Sequence, residues 1–323
     1  MVLFVLLVSG LGLLSLPGLT RRVGRGLRPD EWSRLCLVAI AGGGVVVEVA
    51  AFLYAAPTVA TAARVPVVAE LCRRMLGEMT PGGVTAGWVA AAVAGMLPAL
   101  GGIGWAKART SRRAVRVERC LGSHRRVGAH ELVVLPTAQL VAVAVPGDPG
   151  RAEPGQVVVS DGLVDTLEPA ELDAVVRHET AHLRRGHHRF LTVAAVVDHA
   201  FAWMPLARRS TATLRVALER WADEDSATGD ADRGVLRHAL LAVTASLLAE
   251  PAIVESSVAA FSAAETIVER LAALDAGAPQ PRPLARALLY CPGAILGTVA
   301  LAAVVSWAAD FEAIVAMAGQ CMR

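Results

Sequence analysis

Four apolar stretches set the frame of the chain, at roughly Val2–Leu19, Leu35–Tyr54, Val84–Trp105 and Leu288–Ala309. Each approaches or exceeds the roughly 20 residues that a helix needs to cross a bilayer. Between the third and fourth, the pattern changes. Short strand-like runs come first: "ELVVL" at 131–135, "LVAVAV" at 140–145 and "QVVVS" at 156–160. The last two are separated by the turn-rich "PGDPGRAEPG". From Pro169 onward the period becomes helical, with Leu172, Val175, Val176 and Leu183 on one face. Pro169 suits the first turn, and Glu168, Glu171 and Asp173 suit its positive end. A small sheet followed by helices predicts an α+β unit. The expected fold class is therefore a multi-span α-helical membrane protein with a small cytoplasmic α+β domain.

Charge orients the spans. Arg21, Arg22, Arg25 and Arg28 follow the first stretch, and Lys107, Arg109, Arg112, Arg113 and Arg116 follow the third. By the positive-inside rule both ends lie in the cytoplasm, which puts the N-terminus outside. The domain organisation that follows has three transmembrane helices within 1–105 and an external loop at 55–83. A cytoplasmic domain occupies 106–287, a fourth span 288–309 and a short external tail 310–323. No positive residue precedes the first apolar run, so it reads as a span and not a signal peptide. The run Phe190–Ala207 is apolar but short, with Asp198 and His199 at its centre, and is expected to be a buried core helix against the membrane.

Composition agrees. Mean hydropathy is +0.51 and 54% of residues are hydrophobic against 19% charged, too apolar a balance for an ordinary soluble domain. A net charge of +2 gives no support to direct nucleic-acid binding. Lys107 is the only lysine, an arginine bias that suits a GC-rich bacterial genome and hence a bacterial cytoplasmic (inner) membrane. The five cysteines show no C-x-x-C spacing. Cys72 and Cys321 both fall on the expected outside, where a disulfide or two free thiols are equally open readings. Glu48 lies inside the second span, where an ionisable group is costly and usually has a role or a partner.

The candidate chemistry sits in "VVRHETAHLRRGHHRF". His178 and His182 are four residues apart, so on a helix they share a face and can grip one metal ion. Glu179 between them can take a proton from an attacking water. Imidazole ligands make zinc the natural candidate, one Zn2+ per chain. The bland reading is a solvated helix face that happens to collect histidines. A third ligand has two candidates. His188 stands where the pattern H-E-x-x-H-x-x-G-x-x-H puts its last histidine, but Arg185 replaces the required glycine and Gly186 comes one residue late. Glu219, in "ALERWADEDSA", is the favoured alternative. Asp223, four residues on, would accept a hydrogen bond from a ligating histidine and fix its ring. All three ligands must lie on one side of the membrane, so Phe190–Ala207 cannot cross it.

In layout, three spans, an H-E-x-x-H domain with a downstream E-x-x-A-D and a fourth span, the chain resembles the BlaR/MecR-type membrane metallopeptidases. The stretches "VVSDGLVDTLEPAELDAVVRHETAHLRRGHHR" and "ALERWADEDSA" carry the resemblance. It implies a gluzincin endopeptidase with His178, His182 and Glu219 on zinc, Glu179 as general base and Asp223 behind a ligand. It also implies a signal-responsive enzyme whose protein substrate is a winged-helix repressor or the protease itself. The chain departs from the β-lactam sensors in one respect: only 14 residues follow Ala309, too few for a penicillin-binding domain. Two alternatives stand beside this reading. One is a housekeeping membrane metalloprotease of HtpX/Ste24 type, which would place spans between the two motifs. The other is a non-catalytic receptor whose zinc domain binds a regulator. Oligomeric state is open.

Overall fold

The apolar stretches form helices that outrun their hydrophobic cores. The computed structural model describes residues 2–65, 83–118, 122–127, 130–147, 155–249, 257–278, 280 and 282–321. Helices α1 (Val2–Gly24), α2 (Pro29–Ala62) and α3 (Gly83–Glu118) come first, then strands β1 (Ser123–Val127), β2 (His130–Leu135), β3 (Ala142–Val145) and β4 (Gln156–Ser160). Helices α4 (Asp161–Thr166), α5 (Pro169–Arg185), α6 (His187–Ala200), α7 (Pro205–Ser226), α8 (Asp230–Ala249), α9 (Ser257–Asp275) and α10 (Pro283–Cys321) follow. Among the described residues, four helices are long and apolar enough to cross a membrane: α1, α2, Gly83–Ser111 of α3 and Pro283–Ala303 of α10. Residues 66–82, with Cys72 and most of the expected external segment, lie outside the described residues, as does the side chain of Cys321.

Helix α10 continues to Cys321, where the sequence suggested a tail from Asp310. No glycine or proline falls between Asp310 and Ala318 to stop it. Helices α1 and α2 cross where two glycines meet: a Cβ on Gly43 would come within 2.7 Å of the Gly10 carbonyl oxygen. Small residues let the two backbones approach.

The sheet has the order β1-β2-β4-β3. Strands β2 and β4 are parallel, with Val133 opposite Val158, and β1 and β3 are antiparallel to their neighbours. Sequence patterning finds the last three strands but not β1, whose "SHRRV" is polar and lacks alternation. Leu132, Val134, Val157 and Val159 face α4 and α5, where Leu163, Leu172 and Val176 cover them. This packing sets the height of α5 above the sheet and leaves β3 as the edge strand beside it.

The run Phe190–Ala207 divides at a turn after Ala200 into the end of α6 and the start of α7. The 14 residues of α6 span about 21 Å at 1.5 Å each, short of the roughly 30 Å hydrocarbon layer. The hairpin nevertheless enters the layer of spans. A Cβ on Gly101 would meet Val196 at 3.1 Å, and one on Gly44 would meet the Phe201 ring at 3.5 Å. Gly44 is near the middle of the second apolar stretch, so α6 and α7 do not merely rest against the membrane helices. Leu14, Ile40, Val197, Leu214, Leu218 and Leu289 belong to one core that joins α1, α2, α6, α7 and α10.

Candidate metal centre

Helix α5 is held at both ends. Pro169 takes the first helical position, and the Glu171 carboxylate accepts from the Glu168 N–H at 3.1 Å within a reciprocal capping box. Gly186 ends the helix at φ 65°, in the left-handed region that favours glycine, and α6 starts at the next residue. The glycine that arrived one residue late for a histidine-only site thus serves as the corner that turns the chain. Between these ends, His178 and His182 project from the same face.

Helix α7 supplies the other side. Its Glu219 places Oε2 3.4 Å from His178 Nε2 and Oε1 3.6 Å from His182 Nε2, while the two Nε2 atoms are 3.2 Å apart. One ligand atom from each of the three residues lies within 4.8 Å of the others. Bonds of about 2.0–2.1 Å in a tetrahedral zinc site imply ligand–ligand edges of about 3.3 Å, so this set of two imidazoles and a carboxylate fits zinc. His188 lies outside the cluster and lines the adjoining cleft.

The ligand atoms are backed differently. His178 Nδ1 stands 2.9 Å from Asp223 Oδ1, close enough for a charge contact although the ring N–H does not point squarely at the oxygen. Asp223 is buried and receives Arg270 of α9 through Nε at 2.9 Å and Nη2 at 2.7 Å. Arg270 Nη1 also reaches Glu219 Oε2 at 3.3 Å. Behind His182, Nδ1 meets Nδ1 of His187 at 2.9 Å. The His187 ring is fully buried against Trp221, centroids 4.8 Å apart.

These surroundings separate the two imidazoles. Burial opposes charge on His178, but the Asp223 and Glu219 carboxylates beside its two ring nitrogens outweigh it and lift its pKa to about 10. Burial dominates at His182 and brings it down to about 4, and at His187 to about 3. Glu219, despite burial, is drawn down to about 2 by His178 and Arg270, and Asp223 is depressed by Arg270 and His178. The carboxylates are therefore ionised and favour positive charge where the Nε2 atoms converge.

Glu179 shares with His182 and Glu219 a cleft of about 330 Å³ whose other walls include Ala142, Ala144 and Leu191. Burial raises its pKa, opposed by His178 and by a hydrogen bond from the Ala144 backbone. The cleft has edge strand β3 on one wall and is also lined by His182 and Glu219, which suits an extended peptide pairing with the strand.

Residues 149–247 match the family model described as Peptidase family M48. A metallopeptidase domain of that family is present. The M48 segment contains His178, Glu179, His182, Glu219 and Asp223 and stops before α9, leaving Arg270 outside it. No match was found among curated proteins or among solved structures. The M48 match supports a membrane metalloprotease and does not separate the BlaR/MecR type from the HtpX/Ste24 type.

Sequence reasoning missed two of the side chains described here. Arg270 lies 47 residues beyond Asp223, and no local pattern ties them. His187 carries no signal in the H-E-x-x-H pattern itself. The available signal was its place directly after the glycine that ends α5, which turns it back toward His182.

Proposed function

We propose that this protein is an integral-membrane zinc endopeptidase of gluzincin type whose active site lies at the cytoplasmic face of the bilayer. The observation that carries it is the convergence of His178, His182 and Glu219 within 4.8 Å beside a cleft walled by Glu179. His178 and His182 would hold the metal through Nε2 and Glu219 through its carboxylate. Bound zinc supplies a Lewis acid that polarises the scissile carbonyl and acidifies water. Glu179 takes the proton of the attacking water and hands it to the leaving amine, a task for which its raised pKa suits it. Edge strand β3 orients the substrate backbone, and Asp223 fixes the His178 ring.

The regulated-protease reading, with a repressor or the chain itself as substrate, rests on the BlaR/MecR resemblance. The short α6 supports it over the HtpX/Ste24 layout, because 14 residues do not cross a bilayer and so leave Glu219 on the side of His178 and His182. Arg21, Arg25 and Lys107 at the ends of their spans support the cytoplasmic placement.

The test is zinc content and proteolysis on detergent-purified protein, with self-cleavage and a peptide library as readouts. We expect one zinc per chain, lost in Glu219→Ala and kept in His188→Ala, and cleavage abolished by Glu179→Ala with zinc retained. Zinc kept in Glu219→Ala but lost in His188→Ala would overturn the ligand set. Zinc bound with no cleavage by any variant, wild type included, would favour the receptor.

A further inference from the structure

The side chain beside Arg270 points elsewhere. Successive residues on a helix are about 100° apart around the axis, so as Arg270 reaches α7, Glu269 reaches α1. Its Oε2 receives Arg21 Nη2 at 2.6 Å and Arg25 Nη2 at 2.8 Å, and only 8% of its side chain is exposed. Arg21 is in the last turn of α1 and Arg25 is in the link to α2. Buried Arg220, next to Glu219 on α7, also feels the Glu269 charge. One carboxylate thus pairs with Arg21 of α1 and Arg25 of the link and acts on Arg220 of α7, while its neighbour holds Asp223 and Glu219.

We infer that Glu269 is a positioning residue that ties the cytoplasmic end of the first membrane helix to the geometry of the metal ligands. The linkage runs from Arg21 and Arg25 through Glu269 to the adjacent Arg270, and from there to Asp223 and Glu219. Hydrogen bonds of 2.7 and 2.9 Å between Arg270 and Asp223 leave little slack, so a displacement of α9 along its axis is felt at Glu219 and at the His178 ring. Without Glu269, Arg21, Arg25 and Arg220 lose their common counter-charge, and α9 is pushed from the junction that seats it. A signal that moves α1 would therefore reach the site without passing through α3 or α10. The bridge from Arg286 of α10 to Glu31 of α2 joins spans alone and does not touch α9.

This inference rests on the zinc reading above, and the experiment separates the two. Zinc dissociation is followed with a chromophoric chelator on full-length protein in detergent, together with thermal unfolding and kcat and KM on a cleaved peptide. Glu269→Gln and Arg21→Gln/Arg25→Gln should each release zinc about tenfold faster, the scale of losing a group that supports a metal ligand. Both should lower kcat with little change in KM. Glu269→Asp, which keeps the carboxylate, should retain more of both than Glu269→Gln, whereas Arg286→Gln should leave them at wild-type values. Folded Glu269→Gln protein with wild-type zinc release and kcat would overturn the linkage, as would a folded Glu269→Asp protein no better than Glu269→Gln. If Glu269→Gln does not fold, the double arginine variant decides alone. Wild-type protein that binds no zinc would instead overturn the zinc reading.

Discussion

The two histidines of the candidate metal centre offer the same atom from the same helix face, yet the regions behind them are built on opposite principles. Behind His178 stand Asp223 and Arg270, a buried ion pair that spreads over α7 and α9. Behind His182 stands His187, a neutral ring packed on Trp221 with Phe190 beside it. The first backing is electrostatic and holds its imidazole near a pKa of 10; the second is apolar and leaves its imidazole near 4. A charged backing makes a ring more basic and fixes it strongly, but it must itself be neutralised. A neutral backing only chooses the tautomer: His182 donates from Nδ1, His187 accepts, and Nε2 of His182 is left free for a metal. Nε2 of His187 is then buried without a hydrogen-bond partner among the described residues.

Breaking the charged side should have the largest effect. Asp223→Ala leaves Arg270, 13% exposed at its side chain, without its two shortest contacts. Removing one partner of a buried pair costs about 3–5 kcal/mol. We expect a clear fall in unfolding temperature in detergent, together with loss of zinc. An unfolding temperature equal to wild type would mean that solvent or Glu219 alone can satisfy the arginine.

Breaking the neutral side should do less to the fold and act mainly on the metal. His187→Phe keeps ring volume against Trp221, removes the acceptor for His182 and removes the unpartnered Nε2. Unfolding temperature should be unchanged or slightly higher, while zinc affinity falls about tenfold. A competition titration against a chelator reads the second effect. Equal affinity would show that His182 is oriented by helix packing alone.

The same contrast explains what could be read from the sequence. The face of α5 that meets Glu219 was legible because its logic is local: His178 and His182 are one turn apart, and Pro169 and Gly186 mark the ends. Glu219 and Asp223 were legible as a second one-turn pair. The strands at 131–135, 140–145 and 156–160 were legible because β-branched runs sit between turn residues. Arg270 was not, because a buried arginine and a surface arginine look alike until the chain closes α9 onto α7. β1 was hidden by polar side chains on a backbone-paired strand. The depth of the α6–α7 hairpin was hidden because Gly44 and Gly101, which admit it, read as ordinary glycines in spans.

The smallest effect sharpens the comparison most. A metal takes the neutral ring, so a histidine that carries a proton must release it on binding. His178, raised to about 10, is protonated at pH 7; His182, lowered to about 4, is not. Zinc binding at pH 7 should therefore release about one proton from the histidine pair, not two. Calorimetry in buffers of different ionisation enthalpy measures that number. As pH rises towards 10 the release should fade, because His178 is already neutral; as pH falls towards 4 it should grow, because His182 then starts protonated. Asp223→Asn removes the charge that supports the His178 proton, so its release near pH 7 should shrink. An undiminished release in that variant would mean that Glu219 alone holds His178 in its charged form, and the contrast between the two backings would then lie in packing and not in proton affinity.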